Sequence, residues 1–103
     1  MAEIDHIVIG ALTLEDGARY AEALLGVKPS KGGVHAGLGT HNMLIGMGAN
    51  CYIEIIAPDP AQPDPPHPRL FDLDDAALRQ MLEAEPRLIA YVASTPALDP
   101  LVA

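Results

Sequence analysis

A histidine and a glutamate lie inside two of the most apolar stretches of this 103-residue chain. His6 stands in the run 4–11, and Glu54 stands in the run 51–57. A buried carboxylate is costly unless a metal, a cation or hydrogen-bond donors compensate its charge. If the two runs form neighbouring strands, His6 and Glu54 meet either as two ligands of a divalent metal or as a hydrogen-bonded pair. A Glu54 side chain that points outward from an edge strand is the remaining alternative.

The stretch between these two runs holds further polar candidates. Thr40 and Asn42 alternate along one strand face, where a hydroxyl and an amide can orient a substrate oxygen. Hairpin and turn formation is their alternative role. His41 points to the opposite face, and His35 is either a pocket-rim residue or a solvated loop residue. Because catalytic metal sites usually have three protein ligands, a third ligand has to come from His35, His41 or another chain.

Local sequence signals predict the elements that position these residues. The run 4–11 is rich in β-branched side chains and predicts a buried strand. Thr13 is a candidate N-cap with acidic residues after it, and Gly26 is a candidate C-terminal stop, so the chain between them predicts a helix. Further strands are predicted at 34–38, 40–47 and 51–57, the last two as a hairpin.

Proline separates this first half of the chain from the second. Residues 58–68 hold six prolines, each of which fixes φ and lacks a backbone donor. Residues 58–73 therefore predict a stiff linker. A helix is predicted after it at 74–85, ending before Pro86, and a strand is predicted at 87–94.

The C-terminal residues repeat in outline the start of the first helix. Residues 97–100 correspond to residues 13–16, with a cap followed by a first helical position. We therefore interpret 4–57 as one complete βαβββ module, and 74–103 as the helix and first strand of an incomplete second module.

Composition and charge make some classes of binding partner unfavourable. The formal net charge is −8, from 14 acidic and 6 basic residues, and it repels phosphate backbones and anionic membrane surfaces. Aromatic residues make up only 4% of the chain, so stacking platforms for bases are scarce. There is neither a signal-peptide pattern nor an apolar stretch near the ~18 residues that span a bilayer. We expect a cytoplasmic protein without nucleic-acid or membrane partners.

Three segments resemble a known superfamily. I-D-H-I-V at 4–8 and C-Y-I-E-I-I-A-P-D at 51–59 resemble the first module of the vicinal oxygen chelate proteins. More narrowly, G-G-V-H-A-G-L-G-T-H-N-M-L-I-G-M-G at 32–48 is similar to the glyoxalase-like domain proteins. The resemblance implies an α+β fold, in which a curved mixed sheet carries the helix on one face and pairs with a second copy.

The resemblance also implies a site. Metal ligands in the superfamily project from the first and fourth strands, which correspond here to His6 and Glu54, and Glu54 would also shuttle a proton. The ion would be a divalent metal such as Zn, Fe, Mn or Ni. Substrate binding would fall to His35, Thr40 and Asn42.

The function implied is lyase, isomerase or dioxygenase chemistry on a small molecule chelated through vicinal oxygens. Ala90 occupies the position at which the second module would repeat His6, so a complete site of this kind requires another chain, and we expect a homodimer. A metal-free small-molecule binding module of the same fold and a truncated, non-catalytic copy are the alternatives.

Overall fold

The computed structural model describes residues 3–48 and 50–94. The elements are β1 (Glu3–Gly10), α1 (Leu14–Leu25), β2 (Ser30–His35), β3 (Thr40–Gly46), β4 (Tyr52–Pro58), a 3-10 turn (Leu70–Asp72), α2 (Ala76–Ala84) and β5 (Arg87–Ser94). The predicted α+β class and the order strand, helix and three strands are confirmed. None of the helices within the described ranges combines the length and apolarity needed to cross a membrane.

All five strands form one mixed sheet in the order β2-β3-β4-β1-β5. β1 runs parallel to β4, and the other neighbouring pairs are antiparallel. A parallel pair needs a long crossover connection, which here contains α1 and the β2–β3 hairpin. This crossover makes β1 and β4 direct neighbours in the interior of the sheet, although about 40 residues separate them along the chain.

The sheet has an apolar core on each face. On the face covered by α1, five residues form one buried cluster: Ile9, Ala21, Ile45, Ile53 and Ile55. On the opposite face, the second buried cluster consists of Val8, Ile56, Leu73 and Leu82, and includes contributions from α2 and the chain that precedes it. Side chains alternate between faces along a strand, so even-numbered positions of β1 and β4 share the face opposite α1.

The caps predicted for the first helix are confirmed. The Thr13 side chain accepts a hydrogen bond from the backbone N–H of Asp16 at 3.1 Å. Gly26 ends the helix with φ 69°, a left-handed conformation that glycine adopts without steric cost. Thr13 and Gly26 therefore define where α1 starts after β1 and where it ends before β2.

The predicted second strand is wrong in position. It was expected at 34–38, but β2 is Ser30–His35, and the chain from 36 to 39 turns. Gly37 and Gly39 have φ values of 78° and 71°, which end the strand. Inside β2, Gly32 lies against the Asn42 backbone, where a Cβ would stand 2.6 Å from the carbonyl oxygen, so this position favours glycine.

The proline-rich segment folds back onto the first half of the chain. Asp59 donates its backbone N–H to the carbonyl of Gly39 at 2.9 Å, and Arg69 donates Nε–H to the same carbonyl at 2.9 Å. α2 begins at Ala76 with Asp75 as its N-cap, two residues after the predicted start. The helix start predicted at 97–100 lies outside the described residues. That residues 74–103 open a second module stays a prediction.

Candidate functional site

The five residues predicted for the site lie together on the face of the sheet opposite α1. Glu54 on β4 is 7% exposed and occupies the centre. His6 Nε2 lies 3.3 Å from Glu54 Oε1, and His35 Nε2 lies 3.5 Å from Oε2. Asn42 donates its side-chain amide to Oε2 at 2.8 Å, and Thr40 Oγ1 lies 2.7 Å from His35 Nδ1. We call these five residues the polar cluster; their roles as ligands or substrate contacts stay predictions.

Strand pairing explains how residues so distant in sequence meet. β1 runs beside β4 and brings His6 onto the face that carries Glu54. β3 lies on the other side of β4, and its alternation brings Asn42 to the same face. His35 and Thr40 are direct partners across the β2–β3 pair, so the turn between them closes the cluster at its outer end.

Asn42 and Thr40 together favour one tautomer of the neutral His35 ring. Gly33 donates its backbone N–H to Asn42 Oδ1 at 2.8 Å, which orients the amide so that Nδ2 faces the cluster. Nδ2 then donates to Glu54 Oε2 and, at 3.2 Å, to His35 Nε2. Because Nε2 accepts, the proton of the neutral ring is on Nδ1 and is donated to Thr40 Oγ1.

His6 is held by two neighbours that sequence reasoning misses. Its Nδ1 lies 2.8 Å from Asp5 Oδ2, and its ring stacks on Tyr52 with centroids 4.6 Å apart and an interplanar angle of 9°. Burial raises the pKa of the Tyr52 hydroxyl, and the negative charges of Asp5 and Glu54 raise it further. Tyr52 precedes Glu54 by two residues, so the strand alternation that places Glu54 was the available signal.

The donor set has the chemistry of a divalent metal site. Both imidazoles are held at Nδ1 by an acceptor, Asp5 for His6 and Thr40 for His35, and present Nε2 to the two oxygens of Glu54. Ligand histidines in metal sites are commonly oriented in this way. Among residues 3–48 and 50–94, no group of three or more His, Cys, Asp or Glu side chains is arranged to hold an ion. The donors therefore fit a metal in type, and their convergence on one ion would require movement of the Glu54 carboxylate.

The other two histidines lie apart from the polar cluster. His41 Nδ1 is 3.6 Å from Asp59 Oδ1, at a groove of about 330 Å³ near the start of α1. Hydrogen bonds from the Gln62 side chain and the Ala61 backbone N–H lower the pKa of the Asp59 carboxyl. His67 is exposed in the proline-rich segment.

A βαβββ unit that gathers histidine and carboxylate side chains opposite its helix has the architecture of the vicinal oxygen chelate superfamily. Within that class, the family model described as a glyoxalase-like domain matches residues 4–103, so the chain belongs to the glyoxalase-like domain family. A search of curated proteins finds no match.

Proposed function

We propose that His6, His35 and Glu54 hold a divalent cation at which a small molecule binds through two neighbouring oxygens. The observation that carries the proposal is the pair of imidazole Nε2 atoms, both directed at one buried carboxylate and both oriented through Nδ1 by an acceptor. Two histidines and one carboxylate form a common donor set for divalent transition metals with open positions. The ion would be Zn, Fe, Mn or Ni.

Each member of the polar cluster has a role in this proposal. The cation would supply Lewis acidity to the two substrate oxygens. Glu54 would also take up or deliver a proton, because its 7% exposure keeps competing water away. Asn42 and Thr40 would act on the ligand through Glu54 and His35, which their amide and hydroxyl contact. The reaction class is a lyase, an isomerase or a dioxygenase.

Calorimetric titration of the chelator-treated protein with each metal salt tests the site. We expect one ion per chain, and for His6→Ala and His35→Ala a loss of affinity larger than the roughly 10–100-fold that follows mutation of residues that only orient metal ligands. His41→Ala is the matched control. His41 lies next to Asn42 on β3, but its side chain contacts Asp59 on the opposite face of the sheet. If His6→Ala and His35→Ala bind metal with the wild-type affinity, as the His41→Ala control should, His6 and His35 are excluded as ligands.

A metal-free binding module is the second candidate, and one observation favours it. Asn42 already donates to Glu54 Oε2 at 2.8 Å, which compensates part of the buried charge without an ion. In that case the titration shows no specific metal binding, while small polyols or hydroxy acids bind with an affinity that His6→Ala weakens.

We propose a homodimer as well, on grounds separate from the metal site. β5 is an edge strand of the sheet and carries Leu88 and Tyr91 with 62% and 67% exposure. Apolar side chains this exposed on an edge strand of the described sheet are typical of surfaces covered by another chain. Sedimentation analysis of the wild type and of a Leu88→Lys/Tyr91→Lys double variant tests this, with a monomer expected only for the variant.

A further inference from the structure

We propose that Gln62, in the proline-rich segment, is a positioning residue for His35. It holds Thr40 in the place where the Thr40 hydroxyl keeps the His35 proton on Nδ1, and so leaves the Nε2 lone pair directed at Glu54. The functional meaning of this lone pair rests on the proposed function, but its orientation can be measured without any ligand.

Gln62 forms hydrogen bonds to the backbone on both sides of the peptide bond that joins Gly39 to Thr40. Its Nε2 donates to the Thr40 carbonyl at 3.1 Å, and its Oε1 accepts from the Gly39 N–H at 3.3 Å. Gly39 has φ 71°, and a Cβ there would stand 2.8 Å from Pro65. The proline-rich segment therefore contacts the turn before Thr40 through Gln62 and through Pro65.

The proline-rich segment in turn holds Gln62. Its Nε2 donates to Asp59 Oδ2 at 3.0 Å, and its backbone N–H donates to the Asp59 carbonyl at 3.2 Å. Prolines at 58, 60 and 63 reduce the freedom of this stretch before folding, which lowers the entropy cost of the contacts. Arg69 Nε donates a further hydrogen bond to the Gly39 carbonyl at 2.9 Å, and Arg69 Nη1 pairs with Asp74 Oδ1 at 2.8 Å.

The consequence reaches the site through one hydrogen bond. Thr40 is fully buried, and its Oγ1 lies 2.7 Å from His35 Nδ1. Which ring nitrogen of a neutral histidine carries the proton is set by the partner of the other nitrogen. If Thr40 shifts, Nδ1–H loses its acceptor, and His35 can place the proton on Nε2 instead, where Glu54 Oε2 at 3.5 Å faces it.

Nitrogen-15 NMR of the histidine side chains tests this, because the two ring tautomers have distinct nitrogen shifts. In the wild type we expect His35 with its proton on Nδ1. In Gln62→Ala, and in the nearly isosteric Gln62→Met, we expect a substantial population with the proton on Nε2. Gln80→Ala, at an exposed position of α2, is the matched control and should leave His35 unchanged.

The outcomes separate the positioning role from general damage and from the proposed function. Gln62→Met keeps similar bulk, so it reports on the hydrogen bonds if Gln62→Ala does not fold; Thr40→Val should produce the same tautomer shift, and Thr40→Ser should not. An unchanged His35 tautomer in folded Gln62→Met, or in Thr40→Val, would overturn the inference. If the tautomer shifts but the wild type binds no metal, the positioning role stands and the metal proposal fails.

Discussion

Replacing Asn42 with aspartate should make the stability of the protein depend steeply on pH. Asn42 Nδ2 lies 2.8 Å from Glu54 Oε2, so the substitution places a second carboxylate oxygen at hydrogen-bond distance from a buried one. Two unit charges at that separation repel by about 6 kcal/mol at an effective dielectric constant of about 20. Protonating one carboxyl of ordinary acidity near pH 7 costs only about 4 kcal/mol. The folded variant therefore takes up one proton rather than hold both charges.

The sign of the pH effect follows from the proton count. Because the folded variant binds one proton more than the unfolded chain, its free energy of unfolding falls by about 1.4 kcal/mol per pH unit once the unfolded carboxyls are ionised. We expect near-wild-type stability at about pH 4–5 and a loss of about 3–4 kcal/mol near pH 7. Urea unfolding across this range, followed by circular dichroism, measures it.

A matched variant and an added metal sharpen this test. Asn50→Asp places the same new charge in an exposed turn and should show no comparable slope. If the polar cluster binds a cation, metal at about 100 times its dissociation constant should restore about 2.7 kcal/mol to Asn42→Asp near pH 7. A constant stability difference between Asn42→Asp and the wild type at all pH values would refute the arrangement around Glu54.

Two further predictions concern the scaffold. Gly17→Ala should destabilise the protein by about 1–2 kcal/mol, because the new Cβ collides with Ile55 beneath α1. This overpacking outweighs the gain in helix propensity, which is up to about 1 kcal/mol. Gly46→Ala is the control in the same urea assay, since a Cβ at Gly46 meets nothing within 4 Å. Asp59 has a lowered pKa in the folded chain, so the stability it contributes is present above its ordinary value of 3.8 and is lost as the pH falls through the folded value. Asp59→Asn should therefore remove part of the acid-induced loss of stability, and identical acid limbs in the two proteins would contradict this.

The central part of the site was predictable because it depends on strand alternation. Ile53 and Ile55 face the core under α1, and this alternation forces Glu54 to the other face. The caps at Thr13 and Gly26 were likewise readable, since they depend only on neighbouring residues. What the sequence did not show locally was that β1 and β4 are neighbours, and the family resemblance supplied that step.

The outer part of the site was less predictable because it depends on contacts between distant segments. The predicted position of β2 was wrong because glycine supports either a strand or a turn. Only the pairing of β2 with β3, and the close approach of Gly32 to Asn42, decide between them. Gln62 lies 22 residues from Thr40, inside a segment whose prolines suggest only stiffness. No local pattern links such a residue to the hairpin that it holds.

The polar cluster presents acceptors to a ligand, and this limits what can bind. Glu54 is a carboxylate, Nε2 of His35 accepts from Asn42, and Nε2 of His6 carries a lone pair in the neutral ring because Nδ1 is bound to Asp5. A ligand that offers only carbonyl or carboxylate oxygens would add acceptors to acceptors, and it needs a cation between. A ligand with hydroxyl groups can donate to these atoms directly. We expect a dicarbonyl compound to bind only when metal is added, and the corresponding diol to bind without metal. Both results together would show that the cluster binds ligands through a cation and also by direct hydrogen bonds. Binding of the dicarbonyl compound without metal would contradict the assignment of these atoms as acceptors.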